Sequence, residues 1–226
     1  MSLPGLFISF EGPDGSGKSS VLKRLQKEIF DYFTIEKKLC QKKDNKPIEF
    51  IFKREPGGTP IGDKIRDLLL SVKSDMLSIT EAFLFAASRA ELFHGEGLEH
   101  LKNGNVLICD RYVDSSIAYQ GAGRQLGEKL VSDINSFATQ GIKPDYIFFL
   151  MVKPYEGLNR IKKNRDNPDR LDQLEIDFHQ RVYDSYTTMI NKHKKRAIVI
   201  DASQSEEKVY SDVFVKMKEV ITKHYK

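Results

Sequence analysis

A glycine-rich octapeptide lies near the start of the chain. Its residues are Gly12, Pro13, Asp14, Gly15, Ser16, Gly17, Lys18 and Ser19, which fit the pattern G-x-x-x-x-G-K-[ST] in full. Glycines let such a loop curl so that successive backbone N–H groups point at phosphate oxygens. Lys18 is expected to reach the β- and γ-phosphates of a nucleotide, and the Ser19 hydroxyl is expected to ligate Mg²⁺. The pattern therefore predicts that the chain binds a nucleoside triphosphate or a close analogue.

The surroundings of this loop favour a phosphate site over a chance match on an ordinary turn. Residues 6–11 are predicted as a buried strand that stops at the loop, and Val21, Leu22, Leu25 and Ile29 return after it at helical spacing. A strand before the loop and a helix after it are what the mechanism requires, because the helix N-terminus adds its positive end to the phosphate site.

An aspartate and an arginine follow another apolar run. Asp110 and Arg111 stand where a strand predicted at residues 106–110 ends, and ligands of open α/β sheets gather at the carboxyl ends of strands. Asp110 can hold a water molecule of the Mg²⁺ shell, and Arg111 can clamp a phosphate. The alternative interpretation is a buried structural ion pair at the end of a strand.

An aromatic residue and a cation share one face of a predicted helix. Phe85 and Arg89 are four residues apart, so their side chains lie on the same side. An aromatic ring can stack on a nucleobase, while a guanidinium can donate to the base edge. Helix packing is the alternative explanation of this pair.

Short apolar runs alternate with longer amphipathic stretches along the chain. The runs are predicted as strands at residues 6–11, 49–53, 106–110, 146–151 and 197–201. Strands that are almost wholly apolar and separated by helices indicate a parallel sheet covered on both faces. S-x-x-E patterns at Ser78–Glu81 and Ser203–Glu206 predict capping boxes at two helix starts. The lysine-rich stretch 36–46 is predicted as a surface connection.

Composition excludes several classes of protein. The 36 basic residues against 32 acidic ones leave a net charge of +4, too balanced to indicate a nucleic-acid surface. Cys40 and Cys109 form no CxxC or Cys–His pair, which argues against a disulfide framework or a zinc site. No apolar run is long enough to cross a membrane, and the first residues lack the features of a signal peptide. We therefore expect a soluble, cytoplasmic chain.

Taken together, these motifs give the chain a resemblance to the thymidylate kinases, which phosphorylate dTMP with ATP. The matching segments are residues 10–19, 54–59, 110–121 and 200–203, together with Arg170, Phe178, Arg181 and Tyr186. The resemblance implies an α/β P-loop NTPase fold, in which a five-stranded parallel sheet has helices on both faces and a small lid, all in a single domain over residues 1–226. It also implies Mg²⁺ as the cofactor, ATP and dTMP as substrates, and a homodimer formed through helices flanking the sheet.

The resemblance also implies a role for each residue of the base pocket. Phe85 would stack on thymine and Arg89 would donate to its edge. Ser116 and Gln120 would complete the contacts with the base, and Arg54 would line the same pocket.

The resemblance also implies contacts with the sugar and phosphate of dTMP and with the adenine of ATP. Asp14 would face the acceptor sugar and its 3′-hydroxyl, and Tyr119 would press against the 2′ position. Arg111 would hold the acceptor phosphate, while the turn at residues 201–203 would lie against the adenine of ATP. The Glu55–Pro56 bond falls where the family often has a cis peptide.

A basic segment at about residues 160–171 is predicted as the lid. Its cations are Arg160, Lys162, Lys163, Arg165 and Arg170. Charge runs of this kind are commonly solvated helix ends. The phosphate loop contains no arginine, however, and family members without one carry a catalytic arginine in the lid. The resemblance therefore implies Lys18, Arg111, Arg165 and Arg170 as catalytic residues, with Arg165 preferred to Arg160.

Other nucleotide-binding classes fit the sequence less well. A GTPase is disfavoured because no Asn-Lys-x-Asp tetrad is present, and a motor because the chain has little room for further modules. A deoxynucleoside kinase remains the enzymatic alternative, with Glu55 as the base for an acceptor hydroxyl. The alternative of another class is a non-catalytic nucleotide-binding module.

Overall fold

The computed structural model describes residues 3–33, 47–164 and 169–226. The predicted connection 36–46, Cys40 and Arg165 lie outside the described residues. The strands are β1 (Leu6–Glu11), β2 (Phe50–Arg54), β3 (Val106–Asp110), β4 (Tyr146–Met151) and β5 (Ala197–Asp201). The α-helices are α1 (Lys18–Asp31), α2 (Pro60–Leu70), α3 (Ser78–Leu92), α4 (Leu98–Lys102), α5 (Val113–Ser116), α6 (Glu128–Thr139), α7 (Pro154–Asn164), α8 (Ile176–Lys192) and α9 (Glu206–Tyr225). Two π-helical segments cover Phe93–Gly97 and Ile117–Gly123.

All the paired strands run parallel, in the order β2-β3-β1-β4-β5. This confirms the five-stranded parallel sheet predicted from the apolar runs. The register places both Arg54 of β2 and Phe10 of β1 opposite Asp110 of β3. The carboxyl ends of these three strands therefore meet at one edge of the sheet, which is where ligands of such sheets bind.

Helices cover both faces of the sheet because side chains of a strand alternate in direction. Ile8 and Phe10 of β1 belong to a core shared with α1 and α9. Phe7, which directly precedes Ile8, packs on the opposite side of the sheet against Phe93. On the edge strand β5, Val199 is 52% exposed, whereas the next residue, Ile200, is 4% exposed and belongs to the core shared with α1 and α9.

The two predicted capping boxes are wrong in detail. Helix α3 begins at Ser78 itself, with Leu77 as its N-cap, and Glu81 turns inward and is 1% exposed. Helix α9 is capped by Ser205, whose hydroxyl accepts from the Lys208 N–H, rather than by Ser203. Ser203 donates instead to Asp201 at 2.6 Å. In both cases the side chain that the pattern assigns to the cap is hydrogen-bonded to other side chains: Ser203 to Asp201, and Glu81 to donors outside α3.

Candidate active site

A cleft with a cavity volume of about 380 Å³ opens at the carboxyl edge of the sheet. Most of the predicted site residues line it, namely Asp14, Gly15, Ser16, Gly17, Lys18, Ser19, Arg54, Phe85, Arg89, Asp110, Arg111, Ser116, Tyr119 and Gln120. The volume lies in the range of small-molecule sites. Residues that the sequence places more than 100 positions apart are thus brought to one cavity.

The phosphate loop curls against helix α7. A Cβ on Gly15 would stand 2.1 Å from the Gly157 carbonyl oxygen, and the φ of Gly15 is +74°, so only glycine fits there. The Lys18 ammonium donates to the carbonyls of Gly12 and Pro13 at 2.8 and 2.9 Å. Burial, together with the nearby Arg111, lowers the pKa of Lys18 to about 7. A bound polyphosphate would offset this desolvation.

The pair predicted to hold Mg²⁺ is assembled beside the loop. The Ser19 hydroxyl donates to Asp110 Oδ2 at 3.0 Å, and both residues line the cleft. Mg²⁺ at nucleotide sites keeps several waters and is held by one or two protein oxygens together with substrate phosphates. A hydroxyl and a carboxylate at hydrogen-bond distance fit that donor set. Among the described residues there is no group of three or more His, Cys, Asp or Glu that would bind a metal independently of a nucleotide.

Asp14, Arg111 and Tyr119 form one hydrogen-bonded group between the loop and the acceptor side. Arg111 Nη2 donates to Asp14 Oδ1 at 2.5 Å, and the Tyr119 hydroxyl donates to Asp14 Oδ2 at 2.6 Å. Burial acts to raise the pKa of Asp14, but Arg111 and Lys18 outweigh it, so this pKa lies below its ordinary value. Asp14 is therefore held as a carboxylate at the junction of the two predicted substrate sites.

The backbone of Arg111 adopts a conformation that is costly for a residue with a side chain. Its φ is +72°, in the left-handed region. The Arg111 N–H donates to the Phe10 carbonyl at 2.9 Å, and the next N–H, that of Tyr112, donates to Glu11 Oε1 at 2.8 Å. Glu11 Oε2 accepts from Ser115, whose hydroxyl also accepts from Arg111 Nη1. Glu11 thus stabilises the turn that aims Arg111 into the cleft.

Glu11 is completely buried, and we expect it to make stability depend on pH. Burial, with Asp114 nearby, raises its pKa from 4.5 to about 8, against the hydrogen bond from Ser115. Between these values the unfolded chain releases the proton while the folded chain keeps it. The stabilising contribution is therefore complete below pH 4.5 and is lost as the pH rises towards 8.

Replacing Glu11 with glutamine would remove this pH-dependent loss. We expect the free energy of unfolding of E11Q, relative to that of the wild type, to rise between pH 5 and pH 8, by at most about 1.4 kcal/mol per pH unit. Urea unfolding at the two pH values measures it, with the exposed Glu99→Gln as the control. A difference between E11Q and wild type that is the same at both pH values would contradict the assignment.

Arg89 is buried in a polar network rather than facing an open pocket. Its side chain donates to Glu55 Oε2 at 2.6 Å, to Ser116 at 3.0 Å, to the Tyr112 carbonyl at 2.9 Å and to Asn135. Four of the five guanidinium N–H donors are thus used by the protein, which leaves one for a base. Sequence reasoning missed Asn135, a buried residue of α6 whose position gives no local signal.

Glu55, the base that the deoxynucleoside kinase alternative would need, lines the cleft beside Arg89. Its Oε2 is bound by Arg89, whereas its buried Oε1 has no hydrogen-bond partner among the described residues. Burial raises the pKa of Glu55 to about 7, although Arg89 opposes the shift. The Glu55–Pro56 peptide is cis, the isomer that the family often has at this position.

Sequence reasoning also missed a cation that lines the cleft. Arg66 of α2 donates to the Pro56 carbonyl at 2.9 Å, and burial together with the neighbouring Arg54 lowers its pKa below the ordinary value. The sequence contains a signal for Arg66 in its helical spacing. The buried residues of α2 are Gly62, four residues before Arg66, and Leu69, three residues after it, so Arg66 lies on the same side of the helix. Two neighbouring arginines in a cleft are favourable when an anion binds between them.

The structure separates the predicted lid cations. Arg160 lines the cleft and donates to the carbonyl oxygens of Ala202 and Ser203, in the turn predicted to meet adenine. Arg170 is not among the residues that line the cleft; it donates to the Leu69 carbonyl at 3.0 Å and to Glu81 at 2.7 Å. Lys162 and Lys163 are exposed on α7.

Known proteins resemble this chain in sequence and in architecture. A family model described as thymidylate kinase matches residues 10–213. The chain belongs to the thymidylate kinase family. A thymidylate kinase of Limosilactobacillus reuteri is 44% identical over 213 residues, which cover 93% of this chain and 94% of that protein. One of Enterococcus faecalis is 42% identical over 209 residues, with 92% of each chain covered.

A solved structure gives the same result. The crystal structure of thymidylate kinase from Ehrlichia chaffeensis matches with a TM-score of 0.71 and 27% sequence identity, covering 94% of this chain and 98% of that one. The P-loop NTPase fold and the family predicted from the sequence are therefore confirmed. As a thymidylate kinase, the enzyme transfers the γ-phosphoryl group of ATP to dTMP, giving dTDP and ADP, in nucleotide biosynthesis. No helix among the described residues is long and apolar enough to span a membrane.

Proposed function

We propose that the cleft carries out this transfer by positioning two phosphates among fixed cations. The observation that carries the proposal is the group formed by Asp14, Arg111 and Tyr119, which joins the phosphate loop to the acceptor side. ATP would bind along residues 12–19, with Lys18 on its β- and γ-phosphates. The acceptor phosphate is already a nucleophile near neutral pH, so no base is needed. Orientation and charge neutralisation supply the rate.

For the acceptor, we assign the base pocket to the cluster around Arg89. Phe85 would stack on thymine, and the remaining Arg89 N–H would donate to the base edge. Because Ser116 Oγ already accepts from Arg89, its hydroxyl proton remains available for the base. Gln120 and Arg54 would complete the pocket, and Arg111 would release Asp14 in part to hold the acceptor phosphate.

The sugar contact gives a specific prediction. Tyr119 is buried, and its hydroxyl is fixed on Asp14 at 2.6 Å, so its ring would leave no space for a 2′-hydroxyl. We expect Tyr119→Ala to reduce the preference for dTMP over its ribose counterpart by about tenfold or more, measured as the ratio of kcat/KM values. Tyr119→Phe keeps the ring and should keep the preference. An unchanged ratio in Tyr119→Ala would remove Tyr119 from the sugar site.

We propose Mg²⁺ as the cofactor, held by Ser19 directly and by Asp110 through water. When bound with ATP, the ion would neutralise charge on the transferring phosphoryl group. The protein's part is to fix the hydroxyl and the carboxylate, which are 3.0 Å apart. Ser19→Ala should raise the Mg²⁺ concentration needed for half-maximal activity, and an unchanged requirement would contradict the assignment.

The lid, at about residues 160–171 of the single domain, would supply the remaining catalytic cation. Of the two lid arginines predicted as catalytic, Arg170 is bound to Glu81 and to a backbone carbonyl. We therefore assign the catalytic role to Arg165, which follows α7 directly in sequence, and an anchoring role to Arg170. Arg160 would hold the adenine turn.

We infer further that the enzyme is a cytoplasmic homodimer. Neighbouring helices α2, α3 and α6 expose large apolar side chains, which include Leu68, Phe83 and Phe137 at 54%, 56% and 86%. Such a layer of apolar surface is typical of an interface with a second copy. Light scattering should give twice the chain mass, and Phe83→Glu should shift the measured mass to that of the monomer. A wild-type monomer would contradict the dimer.

Cell fractionation tests the cytoplasmic location. Recovery of the enzyme outside the cytoplasm would contradict that location.

A further inference from the structure

A single buried carboxylate joins the base pocket to the flank of the lid. Glu81 is 1% exposed and lies on α3, one turn before Phe85. Its oxygens accept hydrogen bonds from Gln120 at 2.9 Å, from Arg124 at 2.9 Å and from Arg170 at 2.7 Å. Gln120 and Arg124 belong to the segment at residues 117–124, whereas Arg170 lies near the end of the predicted lid. Burial acts to raise the pKa of Glu81, but the hydrogen bonds from Arg124, Gln120 and Arg170 lower it below its ordinary value.

On the acceptor side, Glu81 fixes the orientation of the Gln120 amide. Gln120 is 1% exposed and lines the cleft, and its Nε2 is the atom that donates to Glu81. The amide therefore keeps its Oε1 as the acceptor for another partner. Thymine carries a donor at N3, whereas cytosine carries an acceptor there, so an amide fixed in this orientation favours thymine.

On the lid side, Glu81 holds residues 169–171, the C-terminal flank of the lid segment. Arg170 donates to Glu81 and to the Leu69 carbonyl, and its own N–H donates to the Leu70 carbonyl at 3.2 Å. The residues on either side of it, Asp169 and Leu171, line the cleft. The position of this cleft wall therefore depends on the same carboxylate that orients Gln120.

We propose that Glu81 is a positioning residue that couples recognition of the thymine base to placement of the lid flank. The inference rests on the proposed function, because it assigns the base to the pocket that contains Gln120. Arg124 donates to the same carboxylate and contacts the Phe178 ring, and it completes the neutralisation of the Glu81 charge. Loss of the Glu81 charge would free the Gln120 amide to turn and would release Arg170 together with it.

The test is the steady-state kinetics of Glu81→Gln with dTMP and dCMP as acceptors. We expect kcat/KM for dTMP to fall about tenfold to a hundredfold, as for the loss of hydrogen bonds to a buried charge. We also expect the preference for dTMP over dCMP to narrow, which a purely structural role would not produce. Because Glu81 and Arg170 act as one unit, the double variant Glu81→Gln/Arg170→Ala should be little worse than Glu81→Gln. Glu91→Gln, exposed on the same helix, is the matched control.

Several outcomes would overturn the inference. If a folded Glu81→Gln variant has the kinetics and the base preference of the wild type, Glu81 is not a positioning residue, even if the melting temperature of the variant is lower. Fully additive effects of the two single variants would refute the coupling. If Glu81→Gln does not fold, Glu81→Asp carries the test, since its shorter carboxylate should still narrow the preference. A wild-type enzyme that does not use dTMP would refute the proposed function instead, so the two failures are distinguishable.

Discussion

Replacing Lys18 with alanine is expected to lower kcat by about 10²–10³-fold, the cost of removing one preorganised donor from a transition state. The ammonium is buried in the phosphate loop, where it is bound to the carbonyls of Gly12 and Pro13 and to the Ser16 hydroxyl. Its charge is poised to act on phosphate oxygens that become more negative as transfer proceeds. The fall in kcat should therefore exceed the rise in KM for ATP.

The matched control for this variant is Lys23→Ala, which removes an exposed cation from the same helix. Lys23→Ala should turn over at the wild-type rate. Initial-rate measurements at several ATP concentrations separate the effects on kcat and KM. Wild-type turnover in Lys18→Ala would refute the assigned role, because no other lysine lies in the phosphate loop.

Replacing Arg165 with alanine should produce an even larger fall in kcat, about 10³–10⁵-fold, with little change in ATP affinity. The phosphate loop has no arginine, and Arg111 is expected to be occupied by the acceptor phosphate. Arg160 and Arg170 are both engaged with backbone carbonyls and carboxylates of the protein. Arg165 is the remaining arginine of the lid segment, and it lies outside the described residues.

The other lid cations provide the controls for Arg165→Ala. Lys162→Ala and Lys163→Ala remove exposed charges and should change kcat much less. Arg160→Ala should mainly raise KM for ATP, because Arg160 binds the turn at Ala202 and Ser203. Full activity in Arg165→Ala with a collapse in Arg160→Ala or Arg170→Ala would refute the choice of residue. Near-normal rates in all three arginine variants would refute the lid mechanism.

The strands and the phosphate loop could be predicted because their signals are local. Apolar runs with sharp polar ends place β1, β3, β4 and β5 at the predicted residues, and β2 one residue later than predicted. The glycine pattern identifies residues 12–19 without reference to distant parts of the chain. A strand end also marks Asp110 and Arg111, because parallel strands bring their carboxyl ends together.

The roles of Glu81 and Asn135 could not be predicted, because their partners lie far along the chain. Glu81 fits a helix-capping pattern, yet its hydrogen bonds reach Arg170, 89 positions later. A buried carboxylate that accepts from Gln120 and from two arginines is more stable there than at a solvated helix end. The π-helical segment at Ile117–Gly123, which carries Tyr119 and Gln120, likewise has no simple sequence period.

The rate of ADP formation from ATP with different acceptors tests the phosphoryl transfer to dTMP most directly. The enzyme, ATP and Mg²⁺ are assayed with dTMP, with thymidine and with no acceptor, and the nucleotide products are separated. We expect dTMP to stimulate ADP release strongly and dTDP to form in equal amount, while thymidine has no effect. Phosphorylation of thymidine to dTMP, or ADP release that does not depend on dTMP, would contradict this expectation.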